Sequence, residues 1–226
     1  MTESPVEAVL FDIDGTLVEY ERTPGDLLPL AFEAAGVDPF FDAADYEARY
    51  GEFAEESEDV QDLRERCFAD IAREAGRDPD VGRAVARAYA AERDHTRVGL
   101  LPGARTVLDA LGSRYSLAAV TNGAPGMQSR KLAAVGLDDR FETVVHAGYE
   151  TPAKPAAEPF ETALSAVGTG AERAVYVGNS PEADVAGANR AGLRSVLFNH
   201  DGPEQPTPEP HYRVESLHDL VEEPWA

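Results

Sequence analysis

A run of apolar residues near the start of the chain, from Val6 to Phe11 with only Glu7 interrupting it, ends in acidic and turn-forming residues. Such a continuous run is typical of a strand that is buried on both faces, as in a parallel sheet. The following segment has a different period. From about Pro24 to Val98 apolar residues recur at helical spacing, and this pattern predicts four helices with no strand among them.

Turn and cap residues support the four helices, which the pattern places at 27–34, 46–54, 63–71 and 81–91. Gly36 and Gly76 follow the first and third helices, and Asp78 precedes Pro79 as an expected N-cap of the fourth. Aromatic residues at helical spacing usually indicate a core, so we expect four of them to pack inside a small bundle. These are Tyr46, Tyr50, Phe53 and Tyr89.

From Leu101 onward, short apolar runs alternate with helical segments. The predicted strands are 115–120, 141–146, 173–177 and 193–198, and the predicted helices are 102–111, 125–135, 158–167 and 182–191. Strands separated by helices of this length predict a parallel sheet with right-handed crossovers. The strand ending at Phe11 belongs to that sheet, which makes the helical segment an insertion. We expect a loop at 201–210, an edge strand at 212–214 and a final short helix.

The charge of the chain is strongly negative. Its 226 residues include 42 acidic and 20 basic side chains, a formal net charge of −22, and only Lys131 and Lys154 among the basic residues are lysines. Such a surface repels nucleic acids and anionic membranes, so an anionic ligand must be captured by a local positive site. An acid-rich, lysine-poor composition is typical of proteins from salt-adapted cells, where high ionic strength screens self-repulsion.

The single cysteine, Cys67, excludes an internal disulfide and suits a reducing cytosol. On its predicted helix it is expected to be a small buried hydrophobic residue. The first residues show no basic region followed by an apolar run, and no apolar stretch reaches about 18 residues. We therefore expect a cytoplasmic protein. We also expect it to be a monomer or a weak homodimer.

Two carboxylates, Asp12 and Asp14, directly follow the first predicted strand and precede Gly15 and Thr16. If the backbone stays extended, alternate side chains leave on the same side, so both carboxylates share one small volume. Their charges repel unless a cation or a proton lies between them. The same five residues are also compatible with an ordinary polar turn.

Polar residues follow the other predicted strands at the same edge of the sheet, where open α/β sheets place their sites. Thr121, Asn122 and Gly123 offer a hydroxyl and turn amides that could bind an anion. Lys154 follows the third strand of the core, and the segment 178–184 follows the fourth. Each segment alone is a common loop, but four of them in order at one sheet edge favour a catalytic site.

Together these segments resemble the haloacid dehalogenase superfamily of hydrolases, in its phosphatase type with a helical cap inserted after the first motif. The four matching segments are Asp12–Thr16, Thr121–Gly123, Lys154–Pro155 and Gly178–Asp184. The resemblance implies an α/β fold with a Rossmann-like, doubly wound parallel sheet. It implies a core domain of residues 1–18 and 99–226 and an all-α helical cap of residues 19–98. One departure is Asn179, which occupies the place of an aspartate in the fourth motif.

The resemblance implies a Mg²⁺-dependent phosphatase that acts on a small phosphorylated metabolite through an aspartyl-phosphate. Asp12 is then the nucleophile and Asp14 the general acid and base. Mg²⁺ is expected on the Asp12 carboxylate, the Asp14 carbonyl and Asn179, whose amide oxygen can ligate it without adding charge. Asp184 is expected to orient the metal shell through water or Lys154, and it is the alternative ligand if Asn179 does not touch the ion.

The phosphoryl oxygens are expected to contact Thr121, the amide groups near Asn122, and Lys154.

Three alternatives to the phosphatase function stay open. A haloacid dehalogenase shares the nucleophile but has no need of Asp14, and a phosphomutase shares every motif. A non-catalytic phosphate-binding module is favoured by Asn179 alone, and the intact acids and lysine argue against it.

Overall fold

The structure is a computed structural model and describes residues 4–53, 57, 60–198 and 206–226. It divides into two compact units, a sheet unit of Met1–Tyr20 and His95–Ala226 and a helical unit of Glu21–Asp94. Its strands are β1 Ala8–Phe11, β2 Val18–Tyr20, β3 Val98–Leu100, β4 Ser116–Thr121, β5 Thr143–His146, β6 Ala174–Gly178, β7 Arg194–Phe198 and β8 Tyr212–Val214. Its α-helices are α1 Pro24–Ala35, α2 Ala43–Tyr50, α3 Val60–Glu74, α4 Pro79–Glu92, α5 Ala104–Gly112, α6 Pro125–Ala134, α7 Glu158–Val167 and α8 Ala186–Arg190.

The sheet unit contains a six-stranded parallel sheet in the order β5-β4-β1-β6-β7-β8. The first strand is central, with Leu10 of β1 opposite Ala118 of β4 on one side and Tyr176 of β6 on the other. The predicted α/β fold with a parallel sheet is thus confirmed. Strand order reverses around β1, which is the arrangement that opens a crevice at the carboxyl edge of such sheets.

Both faces of the sheet are covered by helices. Side chains alternate along β1, so Val9 and Phe11 pack in one hydrophobic core with residues of α5, whereas Leu10 packs in a second core with residues of α7. All four residues of β1 are completely buried. Burial on both faces explains why the apolar run in the sequence shows no alternation.

The helical unit packs around its own core. Phe32, Phe41, Phe68 and Tyr89 are buried in it, and the rings of Phe41 and Phe68 meet edge to face with centroids 4.7 Å apart. Helices α3 and α4 approach each other closely at Gly82 of α4, where a Cβ atom would lie 2.1 Å from the carbonyl oxygen of Phe68 on α3. A glycine is therefore required for this contact between α3 and α4.

The expected packing roles hold for Tyr46 and Tyr89, which are 5% and 0% exposed, and Phe53 packs partly buried against the same core. Tyr50, at the end of α2, lies at the edge of this core, because it is 38% exposed and its ring meets that of Tyr46 edge to face with centroids 5.7 Å apart. Cys67 is completely buried, as expected, and its burial raises the pKa of the thiol to about 11. A thiol with so high a pKa carries little thiolate at neutral pH.

As predicted, no strand lies between the four helices in the part of this segment that the structure describes. Two short strands that were not predicted lie at its two ends: β2 and β3 form an antiparallel pair, with Glu19 opposite Gly99, and both belong to the sheet unit. In strands of only three residues, the alternation of apolar and polar positions is too short to be distinguished from the irregular pattern of a loop. The helical unit consequently starts at Glu21 and ends at Asp94, inside the predicted limits of 19 and 98.

Other differences concern helix type. The segment predicted as one helix at 182–191 is a π-helical turn, Pro181–Val185, followed by α8. In the segment predicted at 46–54, the α-helix ends at Tyr50 and a 3₁₀ turn, Gly51–Phe53, follows it. Residue 54 and residues 201–205 of the predicted loop lie outside the described residues. The final short helix is the 3₁₀ helix Leu217–Glu222.

Within the described part of the chain, every helix is too short or too polar to cross a membrane.

Candidate active site

The two carboxylates of the first motif stand at the carboxyl edge of the sheet. Asp12 continues the strand for one residue, since its amide donates to the carbonyl of Val177 at 2.9 Å. The chain then turns tightly, with the amides of Leu17 and Val18 both donating to the carbonyl of Ile13 at 2.9 and 3.0 Å. Gly15 has a φ of +74°, which a residue with a side chain rarely adopts, and this turn leads the chain into β2.

Lys154 provides the positive charge beside Asp12. Its ammonium nitrogen lies 2.8 Å from Asp12 Oδ1 and 2.7 Å from Asp184 Oδ1, and it also contacts the Val120 carbonyl and the Tyr176 hydroxyl, both at 2.9 Å. The residue is only 6% exposed. The lysine thus joins the ends of β1, β4 and β6 through buried charge-assisted hydrogen bonds, which are the strong kind.

Burial raises the pKa of Asp12 to about 7; Asp184 and Asp14 act in the same direction, and Lys154 opposes them. Burial also disfavours the charge of Lys154, but the carboxylates of Asp12 and Asp184 outweigh it and raise the pKa of the lysine. The pKa of the Tyr176 hydroxyl is raised well above its usual value by burial. The site therefore carries more negative charge than Lys154 alone compensates.

Asn122 ties two loops together. Its side-chain oxygen accepts from the backbone amide of Lys154 at 2.8 Å, and its side-chain nitrogen donates to the Lys154 carbonyl at 3.2 Å. This pair of bonds fixes the backbone from which the Lys154 side chain extends. The Asn122 side chain is thus engaged with the loop, which leaves the backbone amides of this segment for the expected contact with phosphoryl oxygens.

The Thr121 hydroxyl is oriented by its neighbours. Its oxygen accepts from the amide of Gly123 at 3.1 Å and from the side-chain nitrogen of Gln128 at 2.9 Å, and the residue is 1% exposed. A hydroxyl group has two acceptor positions and one donor. Since both acceptor positions are used, Thr121 retains its proton for donation to an anion.

Asp14 is held by two side chains of α6 that the sequence analysis gave no role. Gln128 donates to Asp14 Oδ2 at 2.6 Å, and Lys131 donates to Asp14 Oδ1 at 2.5 Å. The two residues are three positions apart on α6 and thus share a helix face. The available signal was the rarity of lysine, because Lys131 and Lys154 are the two lysines of the chain and both contact a carboxylate of the first motif.

The fourth motif brings Asn179 and Asp184 to the same edge. The Thr16 hydroxyl donates to Asn179 Oδ1 at 3.3 Å, and a Cβ atom on Gly15 would lie 2.5 Å from Asn179 Nδ2. Asn179 therefore lies directly against the turn that follows β1. Asp184 is 2% exposed, and its Oδ2 accepts from the amide of Ser180 at 2.9 Å while its Oδ1 contacts Lys154.

The donor set of the site fits a hard divalent cation such as Mg²⁺, which prefers oxygen ligands. Among the described residues, no group of three or more histidine, cysteine or acidic side chains has metal-binding geometry. The expected ligands are instead one carboxylate, one backbone carbonyl and one amide oxygen, and the buried Asp12 carboxylate needs further positive charge. Asp184 fits an orienting role better, because both its oxygens are engaged within the protein.

Relatives of known function include phosphatases. The chain is 38% identical over 160 residues to a phosphoserine phosphatase of Thermus thermophilus, a match that covers 70% of this chain and 64% of that protein, less than two thirds of its length. It is 29% identical over 225 residues to the pyrimidine 5'-nucleotidase PynA of Streptococcus pneumoniae, covering 95% of this chain and 93% of that protein.

The fold has close counterparts among solved structures. The HAD-hydrolase YfnB of Bacillus subtilis, solved bound to magnesium, superimposes with a TM-score of 0.76 over 97% of this chain and 98% of that chain at 24% identity. At this identity the likeness concerns the fold alone. A family model described as haloacid dehalogenase-like hydrolase matches residues 6–192, which is most of the chain. The protein belongs to the haloacid dehalogenase-like hydrolases.

Proposed function

We propose that the protein is a Mg²⁺-dependent phosphatase that hydrolyses a small phosphomonoester through an aspartyl-phosphate on Asp12. The observation that carries this proposal is the different setting of the two neighbouring carboxylates. Asp12 is buried against Lys154, whereas the side chain of Asp14 is 40% exposed and accepts hydrogen bonds from α6. This difference supports a nucleophilic role for Asp12 and a proton-carrying role for Asp14, the two roles that phosphoryl transfer to an aspartate requires.

In the first step, a carboxylate oxygen of Asp12 attacks phosphorus and the bond from phosphorus to the ester oxygen breaks. Asp14 gives its proton to the departing oxygen. Lys154 and the Thr121 hydroxyl stabilise the negative charge of the phosphoryl oxygens, because both are preorganised by contacts within the protein. When bound, Mg²⁺ supplies Lewis-acid stabilisation of that charge, and Asp12, the Asp14 carbonyl and Asn179 would hold it.

In the second step, Asp14 takes a proton from water as the water oxygen attacks phosphorus. The bond between phosphorus and the Asp12 oxygen breaks, and inorganic phosphate leaves while Asp12 is regenerated as a carboxylate. Asp14 ends the cycle protonated, as it began. The charges also favour a phosphate ester: with Asp14 protonated, the carboxylates of Asp12 and Asp184 balance Lys154 and Lys131, and a divalent cation makes the site net positive.

The test is a screen of phosphorylated metabolites with Mg²⁺ at several KCl concentrations, scored by release of inorganic phosphate. The compounds include phosphoserine and pyrimidine 5'-nucleotides, on which the relatives' names report activity. Asp12→Asn should abolish release at unchanged circular dichroism, and acid-quenched wild-type protein should carry a phosphoryl group on Asp12. Appreciable activity of folded Asp12→Asn would contradict the proposal, and transfer to a second hydroxyl without phosphate release would indicate a mutase.

A further inference from the structure

The carboxyl group of Asp14 is held at both oxygens by donors from one helix. Lys131 Nζ reaches Oδ1 and Gln128 Nε2 reaches Oδ2, at 2.5 and 2.6 Å. A carboxylate can rotate about its bond to Cβ, and a separate donor on each oxygen fixes the plane of the group. Each oxygen retains a second acceptor position, so the carboxyl group is held without being closed to a substrate.

Gln128 shows that this contact is not explained by stability. The residue is completely buried, and because a carboxylate only accepts hydrogen bonds, the amide must present its nitrogen to Asp14. Its Oε1 is then buried, and within the described part of the chain it has no hydrogen-bond partner. A buried acceptor without a partner costs stability, so an apolar side chain of the same size would pack here at lower cost.

The nitrogen of Gln128 also contacts the Thr121 hydroxyl at 2.9 Å. One amide therefore links the residue expected to carry the proton with the residue expected to contact the phosphoryl group. The backbone pairing of β1 with β4 ends at Phe11 and Ala119, before these two residues. Gln128 therefore bridges the two functional groups beyond the end of that pairing.

Lys131 is constrained in the same way. It is 1% exposed, and its ammonium group lies 4.5 Å from the centre of the Tyr20 ring, a distance typical of a cation–π contact. The Tyr20 hydroxyl is in turn 2.7 Å from His95 Nδ1. The lysine is thus confined between an aromatic face and Asp14, and its charge is directed at one carboxylate oxygen.

We propose that Gln128 and Lys131 are positioning residues that orient the Asp14 carboxyl group toward the leaving oxygen. This inference rests on the proposed function, because it assigns the two residues to the proton-transfer part of that reaction. Neither residue touches the reacting phosphorus or the nucleophile in the contacts described. The contribution that they make through Asp14 is realised only when the leaving group needs a proton, and this gives the inference a signature of its own.

The experiment compares Gln128→Met and Lys131→Met with wild type on 4-nitrophenyl phosphate and phenyl phosphate in saturating Mg²⁺. These esters have nearly the same shape, but phenol is a far weaker acid and its oxygen depends more on protonation. Removing such an orienting partner typically costs tenfold to hundredfold, so we expect kcat/KM for phenyl phosphate to fall by about that factor. For 4-nitrophenyl phosphate we expect a fall of less than about threefold in Lys131→Met and a larger fall in Gln128→Met, which also loses its contact with Thr121. In both variants the fall should stay below that for phenyl phosphate.

Asp14→Asn provides the benchmark for complete loss of proton transfer, and Arg194→Met is the matched control. Arg194 is also a buried cation of the sheet unit, 9% exposed, but it donates to the Ser4 carbonyl far from Asp14. Its replacement should change stability without changing the ratio between the two esters. Gln128→Met should melt at or above the wild-type temperature, which keeps the test decisive if Lys131→Met does not fold.

Equal losses on both esters, or a Gln128→Met variant that loses activity only in proportion to stability, would overturn the positioning role while leaving the phosphatase proposal intact. A wild-type protein that is inactive on both esters and on the metabolite screen would instead overturn the phosphatase proposal and this inference with it. A selective loss on phenyl phosphate at unimpaired stability supports the inference, because a purely structural role does not depend on the leaving group.

Discussion

Lys154 and Asp184 form a buried ion pair, in which Lys154 Nζ lies 2.7 Å from Asp184 Oδ1. Their side chains are 3% and 2% exposed, and the Tyr176 hydroxyl lies 3.1 Å from the same oxygen. The pair joins the segment after β5 to the π-helical turn after β6. It thereby holds in place the ammonium group that also contacts Asp12.

We expect Asp184→Asn to destabilise the protein, because it leaves the buried Lys154 with Asp12 as its remaining anion. Breaking a buried pair outright typically costs about 3–5 kcal/mol. Since Asp12 still compensates part of the charge, we expect a loss of about 1–3 kcal/mol in the free energy of unfolding. Urea denaturation measures it, with Glu182→Gln, an exposed acid of the same turn, as control. Equal stability of the two variants would show that the pair contributes nothing.

Asn179→Asp tests the departure in the fourth motif. If the Asn179 amide oxygen ligates Mg²⁺, a carboxylate in its place adds one negative charge and should lower the Mg²⁺ concentration for half-maximal activity. The activity at saturating Mg²⁺ should change little, or fall if the added charge repels the phosphate. Titrations must share one salt concentration, because salt screens the same attraction. Gln61→Glu adds the same charge in the helical unit, and an equal shift in that variant would contradict direct ligation.

The net charge of −22 leads to a prediction about salt. Self-repulsion of an acidic surface is relieved by ions, and the Debye length falls from about 10 Å at 0.1 M to about 3 Å at 1 M. We expect the melting temperature to rise from low salt into molar KCl, beyond the range where ordinary screening saturates. Thermal scans monitored by circular dichroism measure this. A melting temperature that does not depend on KCl would refute salt adaptation without affecting the active-site proposal.

The contact between α3 and α4 makes Gly82 intolerant of a side chain. A methyl group there meets the Phe68 backbone at 2.1 Å, so Gly82→Ala must push the helices apart. Overpacking of this kind costs about 1–3 kcal/mol or more in the free energy of unfolding. Gly126→Ala is the matched control, since a Cβ atom on Gly126 meets nothing within 4 Å. Urea denaturation of both variants should show a loss for Gly82→Ala alone.

Much of the sheet could be predicted because burial leaves a strong pattern. The apolar run of β1 and the acids after it identify a buried strand and its functional end, and Glu158 and Val167 bound α7 as the periodicity predicts. The short β2–β3 pair could not be predicted, because three residues carry too little pattern and Gly99 weakens it further. Tyr50 shows a related limit, since helical spacing does not tell an aromatic residue at the partly exposed edge of a core from one inside it.

The contacts of Gln128 and Lys131 with Asp14 lay beyond sequence reasoning for another reason. They join residues more than a hundred positions apart, and local periodicity reports only which face of a helix is buried. A buried lysine on such a face conflicts with that pattern, and the conflict itself indicates a function. The π-helical turn at Pro181–Val185 is similar, because Asp184 within it is held by Ser180 and Lys154, contacts that no repeat in the sequence indicates.

The central place of β1 has a consequence for how the protein is made. Ala8 pairs with Ser116 on one side and Ala174 on the other, so β1 is synthesised long before the two strands that enclose it. Pairings between such distant segments form slowly, because a long loop must close before they yield any stabilisation. The nascent chain therefore carries the apolar strand β1 without either partner until β4 has been synthesised. That strand is where we would look first for chaperone binding or aggregation during synthesis.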